Sequence, residues 1–168
     1  KTNSVYNTVD AAISACTAGR GDVVYVTEGH TETVTATSIA HDVAGVTVIG
    51  LGSGQNRPTF TYGAAAATIT ISGANGGWVN CRFVANFLDV ASAFTLGAAK
   101  GFTLQGNEFT ETSSVLNFLS IVTTGATDND ADDLVVRDNL WIGLNTTPLA
   151  FISILAAESG LLAEDNSC

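Results

Sequence analysis

The chain has 168 residues, 46% of them hydrophobic and 13% charged, and its 16 acidic and 6 basic side chains give a formal net charge of −10. That length suits one domain with a real core, and so apolar and weakly charged a composition excludes disorder. An anionic surface with no Lys/Arg stripe speaks against nucleic acid and anionic membranes as partners, and no apolar run is long enough to span a bilayer as a helix.

The first predicted element is a helix within residues 5–17. Val5, Val9, Ile13 and Cys16 fall at helical spacing, with Ala11, Ala12 and Ala15 among them. Asn7 or Thr8 can cap its start, and Gly19 and Gly21 stop it. The reading makes 1–21 an N-terminal capping unit and 22–168 a β domain.

After Asp22, short β-rich runs separated by Gly, Asn, Asp and Ser predict strands. They are Val23–Val26, Thr33–Thr37, Val46–Ile49, Thr59–Tyr62, Thr68–Ile71, Ala93–Leu96, Phe102–Leu104, Leu116–Val122, Leu134–Val136 and Phe151–Leu155. Cys16, Cys81 and Cys168 are widely spaced and include no CxxC, so free thiols are expected rather than a disulfide framework or zinc site. Asn145-Thr146-Thr147 matches a glycosylation sequon.

An internal repeat decides between sandwich and solenoid. Phe102-Thr103-Leu104-Gln105-Gly106-Asn107-Glu108-Phe109 matches Leu134-Val135-Val136-Arg137-Asp138-Asn139-Leu140-Trp141, and both match the run from Leu161 to Cys168. Weaker copies begin at Val46 and Gly76, so the steps between copies are 30, 26, 32 and 27 residues, and Val24-Tyr25-Val26 precedes the first by 22. A near-constant period with loop-sized variation is the signature of stacked coils. The predicted fold is an all-β, right-handed parallel β-helix with a short N-terminal capping α-helix. The chain contains no Met, starts at Lys1 and ends inside a repeat, so the stack is expected to continue beyond Cys168.

The repeat carries a mechanism. Asn107, Asn139 and Asn166 share one register at the corner between strands, where Asn tolerates a left-handed backbone. Stacked coil on coil, their amides are expected to form a hydrogen-bonded ladder, with Cys81 taking that register in one coil. Phe83, Phe109 and Trp141, two residues further on, are expected to form an aromatic column.

Three phrases resemble the opening of pectin-lyase-like β-helix proteins: Thr8-Val9-Asp10-Ala11-Ala12-Ile13, Gly21-Asp22-Val23-Val24-Tyr25-Val26, and Glu28-Gly29-His30-Thr31-Glu32-Thr33-Val34. Gly45-Val46-Thr47-Val48-Ile49-Gly50 resembles the coil that follows. In that superfamily an amphipathic helix plugs the N-terminal end of the solenoid. These motifs are generic among β-helices and imply architecture rather than activity.

Enzymatic members carry acidic and basic clusters that this sequence lacks. There is no DFIFG-like strand with paired Asp residues, and no Asn-Thr-Asp, Gly-Asp-Asp or Gly-His-Gly phrase. Arg82 and Arg137 sit in solvent-alternating positions with no acidic cluster in their own coils. His30 and His41 have no Ser or Cys partner phrase. Glu108 with Glu111, or Asp138 with Asp165, could approach each other on adjacent coils, exposed surface charge being the plainer reading. No catalytic residue and no cofactor are expected. Asp128, Asp130 and Asp132 place hard oxygens at alternate positions and are weak candidates for a metal ion, against the reading as a solvated loop.

Leu116–Val122 and Phe151–Leu155 place apolar residues on both faces of their strands. A solenoid wall has one face in solvent, so outward Leu116, Phe118, Val122, Ile152 and Ile154 imply burial against a neighbouring subunit, unless the strand lies irregularly under a loop. A β-helix without a recognisable site, with an apolar outer wall, resembles bacteriophage spikes, fibres and capsid decorations. That resemblance implies a non-enzymatic virion protein, trimeric, assembled in a host cytoplasm and bound to other virion proteins. The alternative is a polysaccharide depolymerase or glycan-binding adhesin, with Trp78, Trp141 and Tyr62 stacking on sugars.

Overall fold

A computed structural model describes residues 4–144 and 150–168. The sequon Asn145-Thr146-Thr147 lies outside the described residues. The helix α1 spans Val9–Ser14, with the Thr8 hydroxyl accepting from the Ala11 N–H at 3.3 Å as its N-cap. Val5 is 97% exposed, so the helix is shorter than the apolar spacing predicts. The carboxylate of Glu32 accepts the Val9 N–H, which fixes the point where the chain enters the helix. Val9 and Ile13 are buried, and the helix packs on the first strands of the solenoid.

The strands run in triplets. Coil one holds Val23–Val26 (β1), Thr31–Val34 (β2) and Ala40–His41 (β3); coil two holds Thr47–Gly50 (β4), Thr59–Tyr62 (β5) and Ile69–Ile71 (β6). Coil three holds Gly77–Val79 (β7), Arg82–Ala85 (β8) and Phe94–Leu96 (β9). Coil four holds Thr103–Gln105 (β10), Glu108–Glu111 (β11) and Ser120–Thr124 (β12). Coil five holds Val135–Arg137 (β13), Leu140–Ile142 (β14) and Ala150–Ser153 (β15), and Leu162–Glu164 (β16) opens the next. Like strands stack into three parallel sheets, ordered β1-β4-β7-β10-β13-β16, β2-β5-β8-β11-β14 and β3-β6-β9-β12-β15. The chain is therefore an all-β parallel β-helix, and among the described residues it has a single short α-helix, near the N-terminus.

Register follows the repeat. Thr47 pairs with Gly77, Gly77 with Thr103, Thr103 with Val135 and Val135 with Leu162, the same steps as between the sequence copies. In the first coil Val24 pairs with Val48, two residues beyond the expected Val46. A slip of two leaves the same side chains facing inward, so alternation alone cannot detect it.

The core fills the space between the three sheets. It is built from Val48, Trp78, Leu104 and Val136 of the first sheet, Phe60, Phe83 and Phe109 of the second, and Ile69, Phe94 and Val122 of the third, all buried.

Candidate functional site

The corner between the first and second sheets carries a continuous amide ladder. The Asn107 Oδ1 accepts the Cys81 N–H at 2.9 Å, the Asn139 Oδ1 accepts the Asn107 N–H at 3.0 Å, and the Asn166 Oδ1 accepts the Asn139 N–H at 3.1 Å. Their Nδ2 groups donate to the carbonyls of Trp78, Leu104 and Val136 at 2.9, 3.0 and 2.7 Å. Asn107 and Asn139 are buried, and no polar atom of either amide is left without a partner.

These asparagines do not hold the left-handed backbone, contrary to the sequence reading. The residue before each one does, Gly106, Asp138 and Asp165 with φ of 64°, 56° and 51°, and so does Asn80 before Cys81, with φ of 56°. The turn is made one position early, and the amide of the ladder residue bonds along the stack. Where the corner residue is Asn80, its Nδ2 donates to the carbonyls of Gly50 and Gly52 at 2.8 and 3.0 Å.

Beside the ladder, Phe60, Phe83 and Phe109 stack face to face, with centroids 5.5 Å apart at 25° and 5.1 Å apart at 21°. Trp141 pairs in register with Phe109, and its ring meets Phe151 edge-on at 6.0 Å. Phe60 falls outside the sequence repeat because Pro58 precedes it in place of the usual corner phrase.

The acidic loop is dispersed onto backbone. Asp128 Oδ1 accepts the Ala157 N–H at 3.1 Å and Asp132 Oδ1 accepts the Ser159 N–H at 2.7 Å. The Ser159 N–H and hydroxyl hold the Asp132 carboxyl below its usual range. Glu158 Oε2 returns the contact from the next coil, accepting the Ala131 N–H at 2.9 Å. Among the described residues no group of three His, Cys, Asp or Glu side chains is gathered for a metal ion. This loop's carboxylates tie successive coils together.

The residues expected to bind sugar are internal: Trp78 and Tyr62 are 0% exposed and Trp141 is 4%. That expectation is therefore corrected. Trp78 donates from Nε1 to His41 Nδ1 at 3.0 Å, and Tyr62 donates to the Ala93 carbonyl at 2.8 Å. Glu108 is engaged by Arg82 at 3.0 Å and Arg57 at 3.9 Å, and Glu111 Oε2 accepts the Leu144 N–H at 2.6 Å. Among the described residues Tyr25, Tyr6 and Phe87 are the aromatics that face solvent, and the two tyrosines are 64% and 43% exposed. Both line an open groove of about 840 Å³ beside β1, together with Thr27, His30, Arg20 and Asp22.

The predicted interface residues separate. Phe118 and Val122 are fully buried and do not face outward. Leu116–Val122 is not one strand, because β12 starts at Ser120 and residues 116–119 form a loop, so strand alternation does not govern them. Phe118 turns into the core, edge-on to Tyr62 at 5.0 Å and Phe109 at 6.5 Å. Ile121 is buried as well, so this segment is covered within its own chain. Leu116 and Ile152 are half-buried and Ile154 is exposed.

An apolar stripe lies instead at the corner that follows the second sheet. Phe87 and Leu88 leave β8 and Val115 and Leu116 follow β11, in successive coils, while Ile142 lies within the second sheet in register with Thr110. Phe87, Leu88, Val115 and Ile142 are 42%, 53%, 57% and 44% exposed, and Leu88 and Leu116 form an antiparallel bridge. Asp89 is the one charge in 86–92, 112–119 and 140–144. Most of these side chains sit in loops, where strand alternation carries no signal. The available sequence cue was apolar residues set among turn formers, as in Asn86-Phe87-Leu88-Asp89 and Ser113-Ser114-Val115-Leu116.

No family model, curated protein or solved structure matches this chain.

Proposed function

We propose that this chain is a non-enzymatic structural module whose solenoid packs side by side with further copies of itself, as a spike, fibre or capsid decoration does, with three copies about a common axis. The observation that carries this reading is the apolar row of Phe87, Leu88, Val115 and Leu116 at the corner of two successive coils, where Leu88 and Leu116 pair and a single charge lies beside them. Apolar surface set in a row on a rigid wall favours a matching row. Copies carrying a net charge of −10 repel one another, and an uncharged strip is where that repulsion is weakest. The virion setting, with assembly in a host cytoplasm and other virion proteins as partners, rests on the resemblance of the fold alone. Sedimentation equilibrium is the test: the native chain should sediment as a three-chain species and a Leu88→Glu/Val115→Glu variant as a monomer with an unchanged circular dichroism spectrum. A native chain that is monomeric at tens of micromolar overturns the proposal.

A second reading, glycan binding, is favoured by Tyr6 and Tyr25 in the open groove beside β1. Stacking on a sugar face needs exposed rings of this kind. It predicts binding of an oligosaccharide, read by intrinsic fluorescence, that Tyr25→Ala abolishes; release of shorter oligosaccharides would replace the structural reading with an enzymatic one.

A further inference from the structure

The first sheet ends at β1, whose outer edge opens into the groove beside it. The inner edge is spent on β4. The Thr47 N–H donates to the Asp22 carbonyl at 3.0 Å and the Leu51 N–H to the Val26 carbonyl at 2.8 Å, with Val24 in register with Val48 and Val26 with Gly50. In a parallel strand, alternate residues turn their peptide groups to the same neighbour. Asp22, Val24 and Val26 therefore face β4, and the N–H and C=O groups of Val23 and Tyr25 point out of the sheet, where no strand lies among the described residues. Such an edge is a row of unmet donors and acceptors.

The rest of the lining is of three kinds. Ala12 and Ala15 of α1 and its C-cap give a patch of methyl groups, half-buried and exposed respectively. The rings of Tyr6 and Tyr25 face solvent. The charged or titratable groups Arg20, Asp22 and His30 are already engaged: Arg20 grips Asp22 at 2.6 and 2.8 Å, and His30 meets Glu32 at 3.2 Å. The groove thus holds no free cation for an acidic sugar, and a chain of net charge −10 repels one.

We propose that this groove selects oligosaccharides of N-acetylated amino sugars, an inference that rests on the glycan-binding reading and gives it a substrate class. An acetamido group carries a donor, an acceptor and a methyl on one short stem. On the edge of β1 its carbonyl accepts the Tyr25 N–H, or its N–H donates to the Val23 carbonyl, as the peptide of an added strand does. Its methyl then covers the alanine patch while Tyr6 and Tyr25 stack on sugar faces. The hydroxyl of a plain hexose reaches the same edge but leaves the alanines without an apolar partner. An extended peptide is the other occupant such an edge accepts; the two exposed rings favour the sugar.

Amide NMR titration of the full chain with tri-N-acetylchitotriose and with cellotriose isolates the acetamido group, since the two sugars share a backbone and linkage. The acetylated sugar should bind at least about tenfold more tightly, shifting the Val23 and Tyr25 amides and leaving that of Asn107 in place. Ala15→Leu, which fills the methyl patch from an exposed position, should reduce its affinity to about that of cellotriose, whereas Tyr25→Ala should weaken both. Equal affinities in the native chain overturn the inference and leave the glycan reading standing, and binding of neither sugar overturns both. An Ala15→Leu chain that keeps the native preference also overturns the inference. So does a short uncharged β-strand peptide that shifts Val23 and Tyr25 where neither sugar does. The native comparison stands even where a variant fails to fold.

Discussion

At the scale of single residues, the ladder has a direction, and its direction explains where it stops. Each asparagine accepts from the backbone N–H of the preceding coil, so an asparagine at position 81 would need an N–H at position 58. That position is Pro58, which has none. Cys81 fits there as a small apolar side chain whose thiol burial pushes up to about 12, well outside any nucleophilic role. Cys81→Asn, which restores the repeat consensus, should therefore destabilise by about 1–3 kcal/mol, because its buried Oδ1 meets no donor. Pro58→Ala in that background should recover at least about 1 kcal/mol, a coupling that a double-mutant cycle in urea would measure. Within the ladder, Asn139→Ala strands the Asn107 N–H and the Leu104 carbonyl and should lose about 2–4 kcal/mol, against about 1 kcal/mol for the half-exposed Asn166→Ala. The three asparagines were legible in the sequence because they recur in one phrase. Which neighbour bends the backbone was not, since Gly106, Asp138 and Asp165 share only a tolerance for positive φ.

At the scale of elements, regularity decided what could be read in advance. Strands that repeat as apolar-x-apolar announce their register, and the stacking of β4, β7, β10, β13 and β16 follows the spacing of the copies. β3 has two residues and no alternation, and it was missed, although it carries His41. That histidine gives the element a measurable consequence. The folded chain holds it neutral to about 4, whereas the unfolded chain binds the proton near its ordinary value of 6.5. Between those values the unfolded state carries more protons, so stability falls as pH falls and the contribution is fully lost below about 4. The size is about 3 kcal/mol. Guanidinium denaturation from pH 7 to pH 4.5 should show this slope and a shallower one in His41→Gln; equal slopes would assign the acid sensitivity to the carboxylates alone. The aromatic column belongs to the same scale. Phe83 is stacked on both sides, by Phe60 and Phe109, so Phe83→Ala should lose about 3–5 kcal/mol, read as a lower denaturation midpoint.

At the scale of the whole molecule, a solenoid built coil by coil writes its fold locally and repeatedly, which is why the architecture could be read from 168 residues without a relative. The readings proposed for its use rest on exceptions to the repeat: the loops after β8 and β11, and the groove beside β1. Alternation misplaced the outer wall at Phe118 and Val122 because it ran a strand through a loop. The relocated stripe makes the sign of the salt effect diagnostic. Two copies with net charge −10 repel over a screening length of about 30 Å at 10 mM salt and about 4 Å at 500 mM, while burial of Leu88 and Val115 is strengthened or unchanged by salt. Self-association through the stripe should therefore tighten, by at least about tenfold, as salt is raised across that range. A cationic partner drawn to the acidic surface would show the opposite dependence, since screening would weaken its only long-range attraction. Sedimentation velocity at the two salt concentrations separates these cases. Leu88→Glu serves as the internal control: it adds a charge within the stripe, so association should be lost at low salt and only partly recovered at high salt, when screening removes the repulsion but not the desolvation of the new carboxylate.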